Sequence, residues 1–133
     1  MAVPTIASGA LRKMLAHARD YGISPAELLA AIDVEPGLAD DPDARVPIEK
    51  LHAAWNVLLA RTPRGDGAVL SAEHYTPGDY GLVGFVVMTS ATFSDAFDQF
   101  VRYSALWTDE PAFVRADATV RLVHRHRFPD SYI

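Results

Sequence analysis

His124 and His126 stand one residue apart, so on a strand both imidazoles leave the same face, as two ligands of a metal ion would. A closed zinc site needs four donors. A third here would have to come from His17, His52, His74 or Glu73, and nothing in the local spacing brings one up. Arg121, Arg125 and Arg127 fall on the opposite face, so the stretch reads as a partly exposed basic strand and no metal site is expected. Asp66, Glu73, Asp79, Asp95, Asp109 and Glu110 are scattered over different segments, and no two have a spacing that would pair carboxylates for acid/base work. With no cysteine in the chain, thiolate zinc sites, disulfides and cysteine nucleophiles are all excluded. Gly65-Asp66-Gly67 and Gly81-Leu82-Val83-Gly84 are too short for a phosphate loop, which needs a strand before its glycines and a helix after them. Gly81 and Gly84 suit a close approach of another backbone instead. No catalytic residue and no cofactor follow from these residues, and an enzyme is not expected.

What remains is aromatic. Trp55, Tyr75, Tyr80, Phe85, Tyr103 and Trp107 could line an apolar pocket with a few polar tips, or could simply be core. Of these, Trp55, Tyr80, Phe85, Tyr103 and Trp107 are the candidate ligand-binding residues.

The elements that must hold them are those of one ordinary domain. A chain of 133 residues buries about two-thirds of its unfolded surface. Half of the residues are hydrophobic and 22% are charged, a balance that folds. The net charge of −5 gives no general attraction to phosphate, which argues against nucleic acid as a direct partner. The first residues lack a basic segment followed by a long apolar core, so the expected location is cytoplasmic. The uncharged run from Tyr80 to Ser94 falls short of the roughly 20 apolar residues of a membrane span and reads as a buried helix.

Leu11, Met14, Leu15 and Ala18 recur at helical spacing, with Ser8 as the expected N-cap and Gly22 as the stop. Ser24-Pro25-Ala26-Glu27 has capping-box spacing with proline at the first helical position, ahead of Leu28, Leu29 and Ile32. Residues 33–46 carry Pro36, Gly37, Pro42 and four aspartates, a loop with one short helical turn. Pro47 then starts a helix with Ile48, Leu51, Trp55, Leu58 and Leu59 on one face and His52 at its margin, where packing at the core edge is expected. A short helical stretch through Val69, Leu70 and Ala72 precedes Pro77-Gly78. A helix through Leu82, Phe85, Val86 and Met88 follows, and Thr92 with Asp95 caps a last one through Phe93, Phe97 and Phe100. After Pro111 the period becomes alternating, and two strands meet at Asp117-Ala118, a weaker turn than Asn-Gly. The fold class is therefore α+β, about six helices followed by a β-hairpin that wants further partners.

Residues 15–34 have the outline of a DNA-binding helix-turn-helix. The exposed side of the second helix offers Ala26, Glu27, Ala30, Ala31 and Asp33, none of which makes the usual bidentate base contact. A structural helical hairpin is expected.

Two motifs are more specific. Asp41-Pro42-Asp43-Ala44-Arg45-Val46-Pro47 precedes the tryptophan-bearing helix. Pro77-Gly78-Asp79-Tyr80-Gly81-Leu82-Val83-Gly84 is followed by Ser90-Ala91-Thr92-Phe93, Ala96-Phe97 and Arg102-Tyr103. In this order they resemble the amino-terminal, arabinose-binding-type sensor domain of AraC-family transcriptional regulators, over essentially the whole chain. The resemblance implies one effector-sensing and dimerisation domain over 1–133 of a cytoplasmic regulator, with a small-molecule effector and a homodimeric partner. It implies no membrane contact, and DNA binding only through a separate carboxy-terminal domain. Similar domains continue beyond the point where this chain stops, so a truncated sensor domain is expected. No effector identity and no binding residue transfers with the resemblance. The alternative is a truncated interaction module that pairs with a full-length regulator through its helices or its late strands.

Overall fold

Ser24 opens its helix by satisfying two backbone donors at once: its Oγ accepts from the Glu27 N–H (3.2 Å), while the Glu27 carboxylate accepts from the Ser24 N–H (2.8 Å). A side-chain cap recurs at Thr92, and a capping box at Thr76 before a 3-10 turn, in the structure, a computed structural model describing residues 2–62, 72–110 and 112–123. In chain order the elements are β1 (Thr5–Ala7), α1 (Ser8–His17) with a 3-10 turn Ala18–Tyr21, α2 (Pro25–Ala31), α3 (Pro36–Asp40), β2 (Arg45–Pro47) and α4 (Ile48–Leu59). After a 3-10 turn Pro77–Tyr80 come α5 (Leu82–Met88), α6 (Phe93–Tyr103) with a 3-10 turn Ser104–Leu106, then β3 (Ala112–Ala116) and β4 (Thr119–Val123). The class is α+β, as the periodicity predicts; among the described residues there are six α-helices, of which α3 stands where a loop with one short helical turn is expected.

The core gathers the apolar faces of α1, α2 and α4. Leu11, Leu28, Leu58 and Val46 are fully enclosed, joined by Met14, Leu15, Ile32 and Leu51. Gly22 ends the first helical unit at φ 75°, a left-handed stop that glycine adopts without strain. The chain then turns so that Leu28 and Leu29 of α2 enter the core, the helical hairpin expected of residues 15–34.

Several expectations are corrected. Ser8 is the first residue of α1 and not its cap; it is buried, and its hydroxyl donates to the Asp41 carbonyl at 2.6 Å. The short strands β1 and β2 stand in stretches with no strand signal, because three residues are too few to show a period. They pair antiparallel with Ile6 opposite Val46, both buried. The other edge of β1 bonds the chain after α6: the Ala7 N–H donates to the Trp107 carbonyl (2.7 Å) and the Asp109 N–H to the Thr5 carbonyl (2.9 Å). α5 and α6 are not buried helices. Only Val83 and Gly84 of α5 are enclosed and no residue of α6 is, because an apolar run this short cannot turn every side to one core. Leu82, Phe85, Met88, Phe93 and Phe97 are exposed.

The hairpin pairs Phe113 with Leu122 and Val114 with Arg121, and turns through Asp117 at φ 53°. It finds its partner in a helix: Phe113 meets Phe100 of α6 edge to face, centroids 4.6 Å apart, while Arg115 donates to the Ser94 carbonyl and to Asp98. The helical stretch predicted at Val69 and Leu70, the loop at Asp66 and the pair His124 and His126 lie outside the described residues.

Candidate functional site

Between the core and α5 lies a cavity of about 650 Å³, within the size range of small-molecule sites. One side is built by β1, α1 and α4 through Ile6, Ala10, Ile48, Leu51, His52 and Trp55. The opposite side comes from the PGDYG turn and α5: Tyr75, Thr76, Pro77, Tyr80, Val83, Gly84 and Val87. Phe100, Trp107 and Glu110 close it.

Three devices hold these walls. First, Asp79 fastens the turn: its carboxylate accepts from the Thr76 N–H (2.6 Å) and hydroxyl (3.0 Å) and pairs with Lys13 of α1 at 3.0 Å. Burial works against the charged Asp79, but the bonds from Thr76 and Lys13 outweigh it and hold the carboxyl below its usual range. Second, α5 lies directly on the turn. A Cβ on Gly84 would stand 2.5 Å from the Pro77 carbonyl carbon and still closer to its oxygen, so only glycine fits. Gly81 serves differently: nothing crowds it, but its φ of 58° with ψ −136° is a conformation for glycine alone. Third, Arg45 of the DPDARVP motif stitches β1 to the chain beside Trp107. It donates to Thr5 Oγ1 (2.7 Å), the Thr5 carbonyl (3.1 Å), the Leu106 carbonyl (3.1 Å) and Asp109 Oδ1 (3.2 Å).

The wall is apolar and aromatic with a few polar tips. Tyr80 tilts against Trp107 with centroids 5.0 Å apart and against Tyr75 at 6.0 Å. Burial pushes the Tyr75 phenol up to about 12, and burial with Asp79 nearby raises that of Tyr80, so both hydroxyls stay neutral near pH 7. The indole Nε1 of Trp107 is buried and has no hydrogen-bond partner among the described residues, and Glu110 is 3% exposed. Such a surface can hold a small apolar molecule and orient it by one or two hydrogen bonds.

Of the five aromatic residues singled out from the sequence, Trp55, Tyr80 and Trp107 stand in this wall. Phe85 and Tyr103 are not among the described residues that line it: Phe85 is 61% exposed, and Tyr103 lies beneath the Arg102 guanidinium at 5.5 Å from its ring centroid. His52, expected at the core edge, is in the wall. Ile6 and Val87 carried no signal in the sequence and Glu110 only that of an isolated carboxylate, since only the pairing of β1 with residues 107–109 and the seating of α5 bring them together.

Over residues 22–132 the chain matches the family described as the arabinose-binding domain of AraC transcription regulators, N-terminal. It is 34% identical over 100 residues to uncharacterized HTH-type transcriptional regulators of Mycobacterium bovis and Mycobacterium tuberculosis. Each alignment covers 74% of this chain and 29% of the relative, so the chain spans less than a third of the length of those proteins.

Proposed function

The chain belongs to the family of arabinose-binding, amino-terminal domains of AraC-type transcription regulators, and from that membership we propose that it is the sensor part of such a regulator, taking a small effector into the cavity beside Trp107. The observation that carries this reading is the cavity itself, of about 650 Å³ and walled by Trp55, Tyr75, Tyr80 and Trp107. Its composition favours a largely apolar effector over a monosaccharide. A sugar needs a hydrogen-bond partner for nearly every hydroxyl it brings out of water, and among the described residues the wall supplies few polar side chains: His52, Thr76, Glu110 and the two tyrosines. The Trp107 N–H, which has no partner among the described residues, suits an acceptor on the effector, reached by a small turn of the ring.

The proposal extends to assembly. Exposed apolar side chains on α5 and α6 have the character of an association surface, and we place the contribution to dimerisation there. The same surface favours the second reading, pairing with a full-length regulator. Promoter binding belongs to a separate DNA-binding domain, the site of action is the cytoplasm, and the chain is not an enzyme. No helix of the described residues is long and apolar enough to cross a membrane.

Both tryptophans of the chain, Trp55 and Trp107, line the cavity, which makes their emission a reporter of occupancy. Titration with an apolar dye such as Nile red is expected to saturate at about one equivalent and to quench the tryptophans. Val87→Phe, which fills the cavity from a half-buried position, is expected to weaken binding at least about tenfold, the scale of a lost apolar contact in a pocket. Dye binding that leaves tryptophan emission unchanged, or that survives Val87→Phe at full affinity, would overturn the reading.

A further inference from the structure

A second site lies at the end of α1, outside the cavity. His17 is the last residue of α1, Asp20 follows three residues on in the 3-10 turn, and His74 arrives from the segment before the PGDYG turn. The two imidazoles stack with centroids 4.0 Å apart and 19° between planes. His17 Nδ1 lies 3.4 Å and His74 Nε2 3.9 Å from the same oxygen, Asp20 Oδ2. Among the described residues this trio is the group of three potential metal donors, with its ligand atoms all within 4.8 Å of one another.

We propose that His17, Asp20 and His74 bind a divalent transition-metal ion of the zinc class. Imidazole and carboxylate are the donors such ions take. Metal–donor distances near 2.1 Å in a tetrahedron place the donors about 3.4 Å apart, so one of the three separations already matches and the others need only a modest contraction. Each ring must turn until its lone pair faces the ion. His74 has room to do so, standing on a turn with its side chain 42% exposed. The carboxylate at 62% exposure leaves the remaining coordination positions to water. The ion would join the end of α1 to a segment that continues directly into Tyr75 and Thr76 of the cavity wall, and so tie down one side of that wall. The site does not depend on the effector reading.

The test is calorimetric titration of the chain with Zn²⁺, with Co²⁺ as an optical probe of coordination. The expected result is saturable binding of about one equivalent, with a higher Tm in the presence of the ion. His74→Gln and Asp20→Asn, both at exposed side chains, are each expected to weaken binding at least about tenfold while leaving the Tm measured in a chelator unchanged. The double variant His124→Gln/His126→Gln serves as the control and is expected to bind as the unaltered chain does. Absence of binding, affinity untouched by His74→Gln, or binding lost in the control variant would each overturn the proposal; the last would assign the ion to the carboxy-terminal histidines.

Discussion

Asp109 shows how a single side chain can fasten two distant parts of the chain. Its Oδ2 accepts from both the N–H (2.7 Å) and the hydroxyl (2.6 Å) of Thr5, and its Oδ1 from Arg45. Burial disfavours its charge, but those donors prevail and the carboxyl titrates below its ordinary value. A carboxyl whose folded pKa is depressed adds stability that is fully present above its unfolded value of about 3.9 and is lost as pH falls through the folded one. Asp109→Asn is therefore expected to cost about 1 kcal/mol near pH 7, kept small by the exposure of the pair. The gap in Tm between variant and parent should close as the pH is lowered below about 4. A gap that stays constant down to pH 3 would contradict this. At this scale the sequence was only half legible: Trp55, Tyr80 and Trp107 were singled out by residue type and stand in the cavity wall. Arg45 belonged to a recognisable motif, but its role depends on partners 40 and 61 to 64 residues away.

At the scale of elements, the contact between α5 and the PGDYG turn leaves the least latitude. Gly84→Ala must push the Pro77 carbonyl away and with it the wall that contains Tyr75 and Tyr80, at a cost of about 3 kcal/mol or more. Urea denaturation measures the cost, and a loss below about 1 kcal/mol would mean that the turn moves freely, contrary to a fixed wall. The suitability of Gly84 for close backbone approach was readable from its spacing, whereas the carbonyl it meets was not. Helix starts were legible wherever their chemistry is local, as at Ser24 with Glu27 and at Thr92, whose hydroxyl accepts from the Asp95 N–H at 3.1 Å. Ser8 misleads for the opposite reason: a serine before an apolar stripe has the look of a cap, and here a partner 33 residues later takes its hydroxyl. The strands β1 and β2 were missed because pairing, not propensity, creates them.

Over the whole molecule, apolar surface is divided unevenly. The core of α1, α2 and α4 encloses its large side chains, while α5 and α6 leave Leu82, Phe85, Met88 and Phe93 between 61% and 79% exposed. The sequence marked these helices as apolar and could not say that their apolar sides face outward. If that surface is where copies associate, Phe85→Glu together with Phe93→Glu should shift the mass measured by light scattering from dimer to monomer and weaken association at least about a hundredfold, since two exposed aromatic anchors are replaced by charges. Because both side chains stand outside the core, Tm should change little, and an unchanged mass would exclude the surface from self-association.

The central position of β1 has a consequence in time. Thr5 is tied to Asp109 across 104 residues and Ile6 bridges to Thr108, so β1 cannot be locked until the segment around residue 109 has followed it from the ribosome. The α1–α2–α4 core can assemble earlier from closer neighbours. Ile6 and Trp107 both line the cavity, so it is completed only when β1 and the segment around residue 107 have met. A nascent protein would thus acquire its hydrophobic centre before it acquired its cavity, and closure of that cavity would report that synthesis had passed residue 109.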